Sequence, residues 1–512
     1  MASFIRRNAW ENGGTFDNPD LLWYAKGVGA MQAMALNDPN SWWFFAAIHG
    51  EYLTGESSFP GWAYIPAPPQ VPTTPLPSQE LQEMYWDQCQ HQTWFFAPWH
   101  RGYLIALEAQ IREAVVSLGG PSDWALPYWN YFGPEDEYKI PPAFTQQTMP
   151  DGKTPNPLYV LARYGPQNDG DIYIPIPPVS EQCMTNTVYT GSNASTPRPG
   201  FGGPQTGFSH SGNISGNLEN NPHNLVHVDV GGNAPTGPTY GLMSDPGIAA
   251  LDPIFYLHHS NIDRMWAAWN ESGNSNPTDA NWLNGPASVG ERPFVVPMPG
   301  ATPWTYTPAD VDSLSKVDYT YDDLTPTTTP QAPNTLSQRL VKLGVAPEVA
   351  NTAQGERMDS SGDVELLGAN NGPLRIGSSG AHAHVMLDSG VQGRVSASLA
   401  AASGTNVPDH VYLQLENIRG NRDAFILDVS VNQQPVGSVA MFGLRRASMR
   451  DGEHGGGGLT HILDITDVID NLFINKALDV DALDVRITPN NAVPEGEEIT
   501  IGRISIYREG HQ

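Results

Sequence analysis

The chain has 512 residues, of which 39% are hydrophobic and 16% are charged, and it contains only two cysteines. This length predicts two domains, and two cysteines exclude a small secreted fold built on a disulfide framework. The net charge of -28 argues against nucleic acid and anionic membranes as partners.

The N-terminal sequence MASFIRRNAW carries Arg6 and Arg7 but lacks the apolar segment that follows the charged region of a secretory signal. No window offers the uninterrupted apolar run that a membrane helix requires. We therefore expect a cytoplasmic protein, with secretion after removal of a signal as the alternative.

Four segments show apolar residues at three- and four-residue spacing, which predicts helices. In chain order they are residues 19–36, 81–96, 99–118 and 252–270. Asp252 is expected to cap the last helix, with Pro253 at its first position. The stretches 57–78 and 133–215 are rich in Pro, Gly, Ser and Asn and predict loops.

The predicted helices 81–96 and 99–118 meet within the sequence CQHQTWFFAPWHRGYL, which contains His91 and His100. Nine residues are two and a half helical turns, so these imidazoles cannot share a face of one straight helix. Pro98 is expected to break the segment between them. His49, in WWFFAAIHGEYL, provides a third histidine before residue 101.

A second set of histidines occurs in ENNPHNLVH and DPIFYLHHSNIDRMW. His223 and His227 are four residues apart, behind Asn221 as a candidate cap, so a helix would place both on one face. His258 and His259 are adjacent and would point about 100° apart, so only one can face a given metal. Imidazole-only sites suit Cu, Zn, Fe and Ni. A single buried histidine is usually a core residue, but two groups together predict two metal ions.

The texture of the sequence changes after residue 321. The segment DDLTPTTTPQAPNT begins a predicted linker over residues 322–370. Stretches such as HVYLQLENI, AFILDVSV and ITIGRISIYRE then alternate apolar and polar residues. Residues 371–512 are therefore predicted to form an all-β C-terminal sandwich.

The three histidine-bearing motifs resemble the signature regions of the tyrosinase, catechol oxidase and hemocyanin family, the type-3 copper proteins. This resemblance spans residues 1–321 and implies a mainly α catalytic domain, a four-helix bundle that holds two copper ions and uses O2 as co-substrate. It implies that His258 is a neighbour rather than a ligand. The implied ligands are His49, His91 and His100 for the first copper, and His223, His227 and His259 for the second.

Smaller features carry further implications of the same resemblance. CQH resembles a motif in which the cysteine is joined to the histidine ring by a thioether, here Cys89 to His91, the alternative being a small buried thiol. VDYTYD resembles the motif that closes the catalytic domain, with Tyr319 and Tyr321 partnered by Arg6 or Arg7 or forming an ordinary surface pair. Asp263 is a candidate acceptor for a copper-binding imidazole, or else a partner of Arg264.

The resemblance implies an enzyme that ortho-hydroxylates monophenols and oxidises o-diphenols to o-quinones, with small phenols as substrates. Glu219 and Asn224 match positions that hold a water proposed as the base for the phenol proton. The alternative is that Glu219 only favours a helix N-terminus. Position 246, thirteen residues before His259, is Pro246 where plant enzymes often carry a Phe gate. We therefore expect an open pocket, with Met243 as the nearest large residue.

The C-terminal region resembles the domain that follows the catalytic unit in plant polyphenol oxidases, where it can cover the copper site as a lid. His382 and His384 in AHAH are expected to be exposed loop histidines, with contact to copper in transit as the alternative. Three alternative functions stay open. They are a catechol or o-aminophenol oxidase without monophenolase activity, a hemocyanin-like O2-binding protein, and a di-zinc hydrolase.

Overall fold

The computed structural model describes residues 4–50, 65–191, 199–208, 214–235, 239–325, 336–351, 363–403, 406–449, 456–478, 480–493 and 496–510. Its chain forms two compact units. The first comprises residues 1–180, 207–209 and 222–327, and the second comprises residues 181–206, 210–221 and 328–512. The predicted domain limits, 1–321 and 371–512, stay a prediction.

The first unit is mainly helical, as its sequence predicts. Its helices are α1 Pro19–Gln32, α2 Trp42–Gly50, α3 Gln79–Tyr85, α4 Phe96–Ser117, α5 Leu225–Gly231, α6 Ile254–Glu271, α7 Ala280–Asn284 and α8 Pro308–Val311. The central helix α4 packs against both α1 and α6. Short strands complete the unit: β1 Phe4–Arg6 pairs with β4 Tyr319–Tyr321 in parallel, and β2 Phe294–Met298 pairs with β3 Thr302–Tyr306.

The predicted helix over residues 81–96 is wrong for most of its length. Helix α3 ends at Tyr85, and the chain then runs irregularly to Phe95. Asp87 (φ 53°) and Gln92 (φ 58°) adopt the left-handed conformation, which a right-handed helix cannot accommodate. Pro98 is the third residue of α4 rather than a break, because the first turn of a helix does not use its backbone N–H groups.

The ends of α5 and α6 also differ from the prediction. Residues Glu219–Asn224 form a π-helical turn that contains Pro222, and α5 begins only at Leu225. Pro253, not Asp252, is the capping residue of α6. The Asp252 carboxylate nevertheless accepts a hydrogen bond from the Ile254 backbone N–H at 3.0 Å and binds Arg163 at 2.6 Å.

The second unit is built on one nine-stranded antiparallel sheet, which confirms the β-rich C-terminal region. Its strands are β5 Asp363–Ala369, β6 Leu374–Ile376, β7 Ala381–Leu387, β8 His410–Gly420, β9 Ile426–Val431, β10 Gln434–Ala440, β11 Leu459–Asp464, β12 Ala482–Pro489 and β13 Ile499–Gly510. The path is β10-β9-β12-β7-β5-β13-β8-β11, and β6 pairs with β13. Aliphatic residues such as Val385, Leu413, Leu427, Ile487 and Ile504 form the core.

Helices also belong to the second unit: α9 Leu336–Lys342, α10 Pro347–Ala350, α11 Ser389–Ala400, α12 Leu444–Ser448 and α13 Thr466–Ile474. Two of them and strand β5 lie within the predicted linker 322–370, of which residues 326–335 and 352–362 lie outside the described residues. The guanidinium of Arg339 anchors α9, because it binds Asp470 at 2.8 Å and donates to the Pro408 carbonyl at 2.9 Å. Within the described parts of the chain, every helix is too short or too polar to span a bilayer.

Candidate metal centre

The first group of histidines comes from helices α2 and α4 and from the irregular segment that precedes α4. His49 lies in the last turn of α2, His100 is the fifth residue of α4, and His91 lies in the irregular segment before α4. All three are buried, and their ligand atoms and the Cys89 sulfur lie within 4.8 Å of one another. The fold therefore brings together histidines that are 51 residues apart at most in the sequence.

The second group is formed by the π-helical turn, α5 and α6. The Nε2 atom of His259 lies 3.3 Å from Nε2 of His223 and 3.4 Å from Nε2 of His227. Two nitrogens bound about 2.0–2.1 Å from one tetrahedral ion are about 3.3–3.4 Å apart. The spacing of these nitrogens therefore fits a single ion. His258 makes neither of these short contacts, and its ring stacks on His223 at 5.3 Å.

Hydrogen bonds at the far side of four imidazoles fix their orientation. Each Nδ1 has an oxygen acceptor at 2.8 Å. The pairs are His49 with the Pro246 carbonyl, His100 with the Phe96 carbonyl, His227 with the Met243 carbonyl, and His223 with Asn224 Oδ1. A histidine that donates from Nδ1 keeps the lone pair of Nε2 for a metal. The four rings are thus held in the tautomer that a metal needs.

Burial also favours the neutral form of three of the imidazoles. It lowers the pKa of His100, His227 and His259 well below the usual range, and neighbouring imidazoles lower it further. A neutral imidazole is the form that binds a transition metal. Two groups of three buried imidazoles, without a carboxylate among the described candidate ligands, therefore fit copper and zinc better than magnesium or calcium.

The gate predicted at Pro246 and Met243 stays a prediction, but both residues also orient histidines. Pro246 and Met243 are both buried, and the contacts they make to the histidines are the backbone carbonyls that accept from His49 and His227. Gly50 permits one of these contacts, because a Cβ atom there would lie 2.3 Å from the Pro246 oxygen. Sequence reasoning missed Gly50, although its position directly after His49 could have drawn attention to it.

The two histidine groups lie side by side between phenylalanine rings. His100 of the first group stacks on His259 of the second, with 4.3 Å between the ring centres and 14° between the ring planes. The centre of the Phe255 ring lies 4.1 Å from the ring centre of His259 and 4.7 Å from that of His49. The centre of the Phe96 ring lies 4.6 Å from the ring centre of His100 and 4.7 Å from that of His223. These two phenylalanines were not singled out from the sequence, although both occur within the histidine motifs.

The Cys89 side chain points into the first histidine group. Its sulfur lies 3.1 Å from Nε2 of His49 and 3.4 Å from Nε2 of His100. It lies 3.5 Å and 3.6 Å from the two nitrogens of His91. The thioether between Cys89 and His91 stays a prediction.

Asp263 does not serve a histidine, so that prediction is wrong. Its Oδ1 accepts from Arg101 at 2.6 Å, and its Oδ2 accepts from the hydroxyls of Tyr319 and Tyr321 at 2.5 Å each. Burial raises the pKa of this carboxyl, but the cations of Arg101 and Arg6 outweigh it and hold the pKa below its ordinary value. Arg264, its predicted alternative partner, instead donates to Asn261 at 2.9 Å.

Of the two candidate arginines, Arg6 is the one that reaches the tyrosine pair. It is fully buried, donates to the Tyr321 hydroxyl at 2.9 Å and lies 3.5 Å from the centre of the Tyr319 ring. Its Nε also donates to Glu108 at 2.7 Å. Arg7 is half-exposed and binds Asp20 at 3.5 Å. The Tyr pair is therefore buried around an ion-pair network rather than on the surface.

The remaining predicted residues lie at the ends of one turn and on one strand. Glu219 and Asn224 are the first and last residues of the π-helical turn, and both are buried. His382 and His384 lie on strand β7, so their predicted placement in a loop is wrong. They are exposed, as expected.

Comparisons with known proteins match both parts of the chain. Residues 39–272 match the common central domain of tyrosinase, and residues 363–509 match a domain of unknown function, DUF7868. Tyrosinase HcTyr1 of Hahella sp. (strain CCB-MM4) is 31% identical, over 98% of this chain and 99% of that protein. Chloroplastic polyphenol oxidase A1 of Vicia faba is 31% identical, over 52% of this chain and 40% of that protein.

Solved structures share the fold of both units. The structure of latent apple tyrosinase has a TM-score of 0.56 at 21% sequence identity, covering 99% of this chain and 97% of that one. Recombinant latent aurone synthase, a polyphenol oxidase, has a TM-score of 0.56 at 18% identity, covering 99% of this chain and 89% of that one.

Proposed function

The chain belongs to the tyrosinase family of type-3 copper oxidases, and from that premise we propose that it hydroxylates monophenols at the ortho position and oxidises o-diphenols to o-quinones with O2. The observation that carries the proposal is the pair of adjacent, buried three-histidine groups, stacked through His100 and His259. The first group would hold one copper, with His49, His91 and His100 as ligands. The second would hold the other, with His223, His227 and His259.

The copper pair would supply the exchange of electrons with O2, and the chain supplies orientation and a dry site. The Nδ1 hydrogen bonds of His49, His223 and His227 prevent the ligand rings from turning. The rings of Phe96 and Phe255 pack against the imidazoles and give the space beside them an apolar lining. These features support a site that holds metal while a planar aromatic substrate approaches.

Monophenol hydroxylation requires the phenol to lose its proton, and an ordinary phenol has a pKa of about 10. Asn224 directs its side-chain oxygen to His223, which leaves its NH2 group to hold a water. The buried carboxylate of Glu219, five residues earlier in the same turn, would draw the proton from that water. We assign Glu219 and Asn224 to this water, and this assignment separates a monophenolase from a catechol oxidase.

Access to the second copper is the other determinant of substrate choice. Position 246 is a proline whose carbonyl is bound to His49. A proline ring covers less area than the phenylalanine that many plant enzymes carry there. We therefore propose that the chain accepts bulky phenols, and rates for a series of para-substituted phenols of increasing size would test this.

We also propose that the second unit controls the activity as a lid. The supporting observation is that the segment before His223 belongs to that unit. Ile214 pairs with Thr460 of β11, and Asn220 accepts a hydrogen bond from Nδ1 of the buried His461 at 2.9 Å. Asn220 is three residues before His223. Limited proteolysis between residues 326 and 335, followed by an assay of phenol oxidation, should reveal a rise in activity if the chain is latent.

The full chain loaded with two coppers provides the decisive test of the oxidase. We expect o-quinone absorbance from both tyramine and 4-methylcatechol, with a lag phase for tyramine, and higher rates on both substrates after the proteolysis between residues 326 and 335. The variant Glu219→Gln should lose roughly 10²–10⁴-fold in kcat on tyramine, the usual contribution of general base catalysis. It should keep its rate on 4-methylcatechol, whose proton is easier to remove.

Other outcomes would favour the other functions. Turnover of 4-methylcatechol alone would indicate a catechol oxidase, and equal losses on both substrates in Glu219→Gln would refute the assigned role of Glu219. Reversible O2 binding without phenol turnover, before and after proteolysis, would indicate an O2-binding protein.

A further inference from the structure

Strands β7 and β12 of the second unit carry a third group of ligand-type side chains. His382 and His384 alternate with the buried Ala383 and Val385, so both imidazoles project from the exposed face of β7. The antiparallel register places Asp484 of β12 directly opposite His384. Two imidazoles and a carboxylate thus share one face of neighbouring strands.

Both imidazoles approach the same oxygen atom of the Asp484 carboxylate. The Oδ1 atom of Asp484 lies 3.4 Å from Nδ1 of His382 and 3.5 Å from Nδ1 of His384. These separations are close to the 3.3–3.4 Å expected between two atoms that bind one tetrahedral ion at about 2.0–2.1 Å. The rings are 80° apart, so they approach the oxygen from different directions.

The same oxygen lacks any other bonding partner. Oδ1 of Asp484 is shielded from solvent and makes no hydrogen bond to any of the described residues. A carboxylate oxygen without a partner is costly, and in a native protein it calls for an ion or another ligand. The position of the oxygen between two imidazoles indicates a cation.

The backbone holds the carboxylate in place without a metal. The Asp484 N–H donates to Oδ1 of Asn432, and the Asn432 N–H donates to the Asp484 carbonyl, both at 2.8 Å. Ligands on paired strands are also held more precisely than ligands on a loop. The site would therefore lose little conformational entropy on binding.

We propose that His382, His384 and Asp484 form a third metal site, which takes one divalent transition-metal ion with water completing its shell. Two imidazoles and one carboxylate suit zinc, nickel and copper(II), with copper(II) bound most tightly, whereas magnesium and calcium prefer oxygen ligands alone. This inference is independent of the oxidase activity. The competing arrangement is an ion pair between a protonated imidazole and Asp484.

One neighbouring charge opposes the ion and supplies a control. Arg486 is the register partner of His382, and its side chain is exposed on the same face of β12. A guanidinium beside a bound cation lowers the affinity of the site. Replacing it by alanine should therefore raise the affinity for metal or leave it unchanged.

The test uses zinc on the copper-loaded full chain, with zinc and copper measured after equilibrium dialysis. We expect one zinc per chain with both coppers retained. The variants His382→Ala, His384→Ala and Asp484→Asn should each weaken zinc binding by at least about 10–100-fold, the effect known for outer-shell partners. Arg486→Ala should bind zinc as well as the parent or better. His410→Ala is a matched histidine control, because His410 faces Asp464 at 4.0 Å in the same unit.

Thermal unfolding without zinc checks that each variant folds. Zinc should raise the melting temperature of the parent, Arg486→Ala and His410→Ala, and should raise it less or not at all in the three variants of the site. If no zinc is bound to the chain at a micromolar concentration of free zinc, the proposal is overturned. Zinc that replaces copper atom for atom, or zinc binding unchanged in His384→Ala, would overturn it equally.

Discussion

The sulfur of Cys89 lies 3.5 Å from Nδ1 and 3.6 Å from Nε2 of His91, and it also contacts the His49 and His100 rings. His91 lies in a loop, where it has less support from secondary structure than a ligand on a helix. A covalent bond to Cys89 would therefore contribute most at this ring. The sulfur is in van der Waals contact with the His91 ring, and its shortest contact is the 3.1 Å to Nε2 of His49.

We predict that the chain, after copper loading in air, forms a thioether between Cys89 and His91. Forming this bond removes one hydrogen from each residue, with O2 as the oxidant, so the peptide containing both should weigh two hydrogen atoms less. Peptide mass spectrometry measures this, and Cys89→Ala provides the control. A peptide of unaltered mass that alkylates at Cys89 would show that the residue is a free buried thiol.

The adjacent histidines of α6 should have distinct effects when replaced. His259→Ala should bind one copper instead of two. The Nε2 atom of His259 lies close enough to Nε2 of His223 and of His227 for all three to bind the same ion, so the variant loses one of its three ligands. His258→Ala should keep both coppers and lose only stability, because the ring stacks on His223. The number of copper ions per chain, measured for both variants, shows which of the two histidines is the ligand. Loss of one copper in His258→Ala alone would reverse the assignment.

The network around Arg6 should matter for folding rather than for chemistry. Arg6→Ala leaves the buried carboxylates of Glu108 and Asp263 without one cation, and breaking a buried ion pair costs roughly 3–5 kcal/mol. Arg7→Ala is a matched control, since its contact with Asp20 is half-exposed and such pairs contribute about 0–1 kcal/mol. Urea unfolding of the copper-loaded proteins measures both. Equal losses would show that Arg6 has no special role.

His461 should make the second unit less stable at acid pH. Burial lowers the pKa of His461 to about 4, below the ordinary value of about 6.5. The unfolded chain therefore takes up a proton between pH 6.5 and 4 that the folded chain does not, so stability falls as pH falls through that window. The contribution is roughly 3 kcal/mol.

Urea unfolding of the full chain at several pH values tests this prediction. The variant His461→Gln has no titrating group at this position and should show a smaller decrease between pH 6.5 and 4. A decrease as steep as that of the parent would show that other groups are responsible. Activity measured alongside would reveal whether loosening Asn220 also changes phenol access.

Parts of the site follow from local sequence alone. The spacing of His223 and His227, the proline before them and the apolar periodicity of residues 252–270 depend only on the geometry of one helix. The helical first unit and the β-rich second unit follow in the same way from two hydrophobic periods. The histidine motifs also carry the family, because metal ligands must keep their chemical type and spacing.

Other features were decided only by tertiary structure. The sequence around Asp263 could not reveal that Arg101 and Arg6 reach its carboxylate from other elements, instead of a histidine one turn away. Nor could it reveal that the Pro246 carbonyl orients His49, or that Asp484 lies between His382 and His384. Each of these depends on residues far apart in the chain. Local sequence therefore determined which residues can bind metal, and packing between distant segments determined which partners hold them, because hydrogen bonds and ion pairs depend on positions in space.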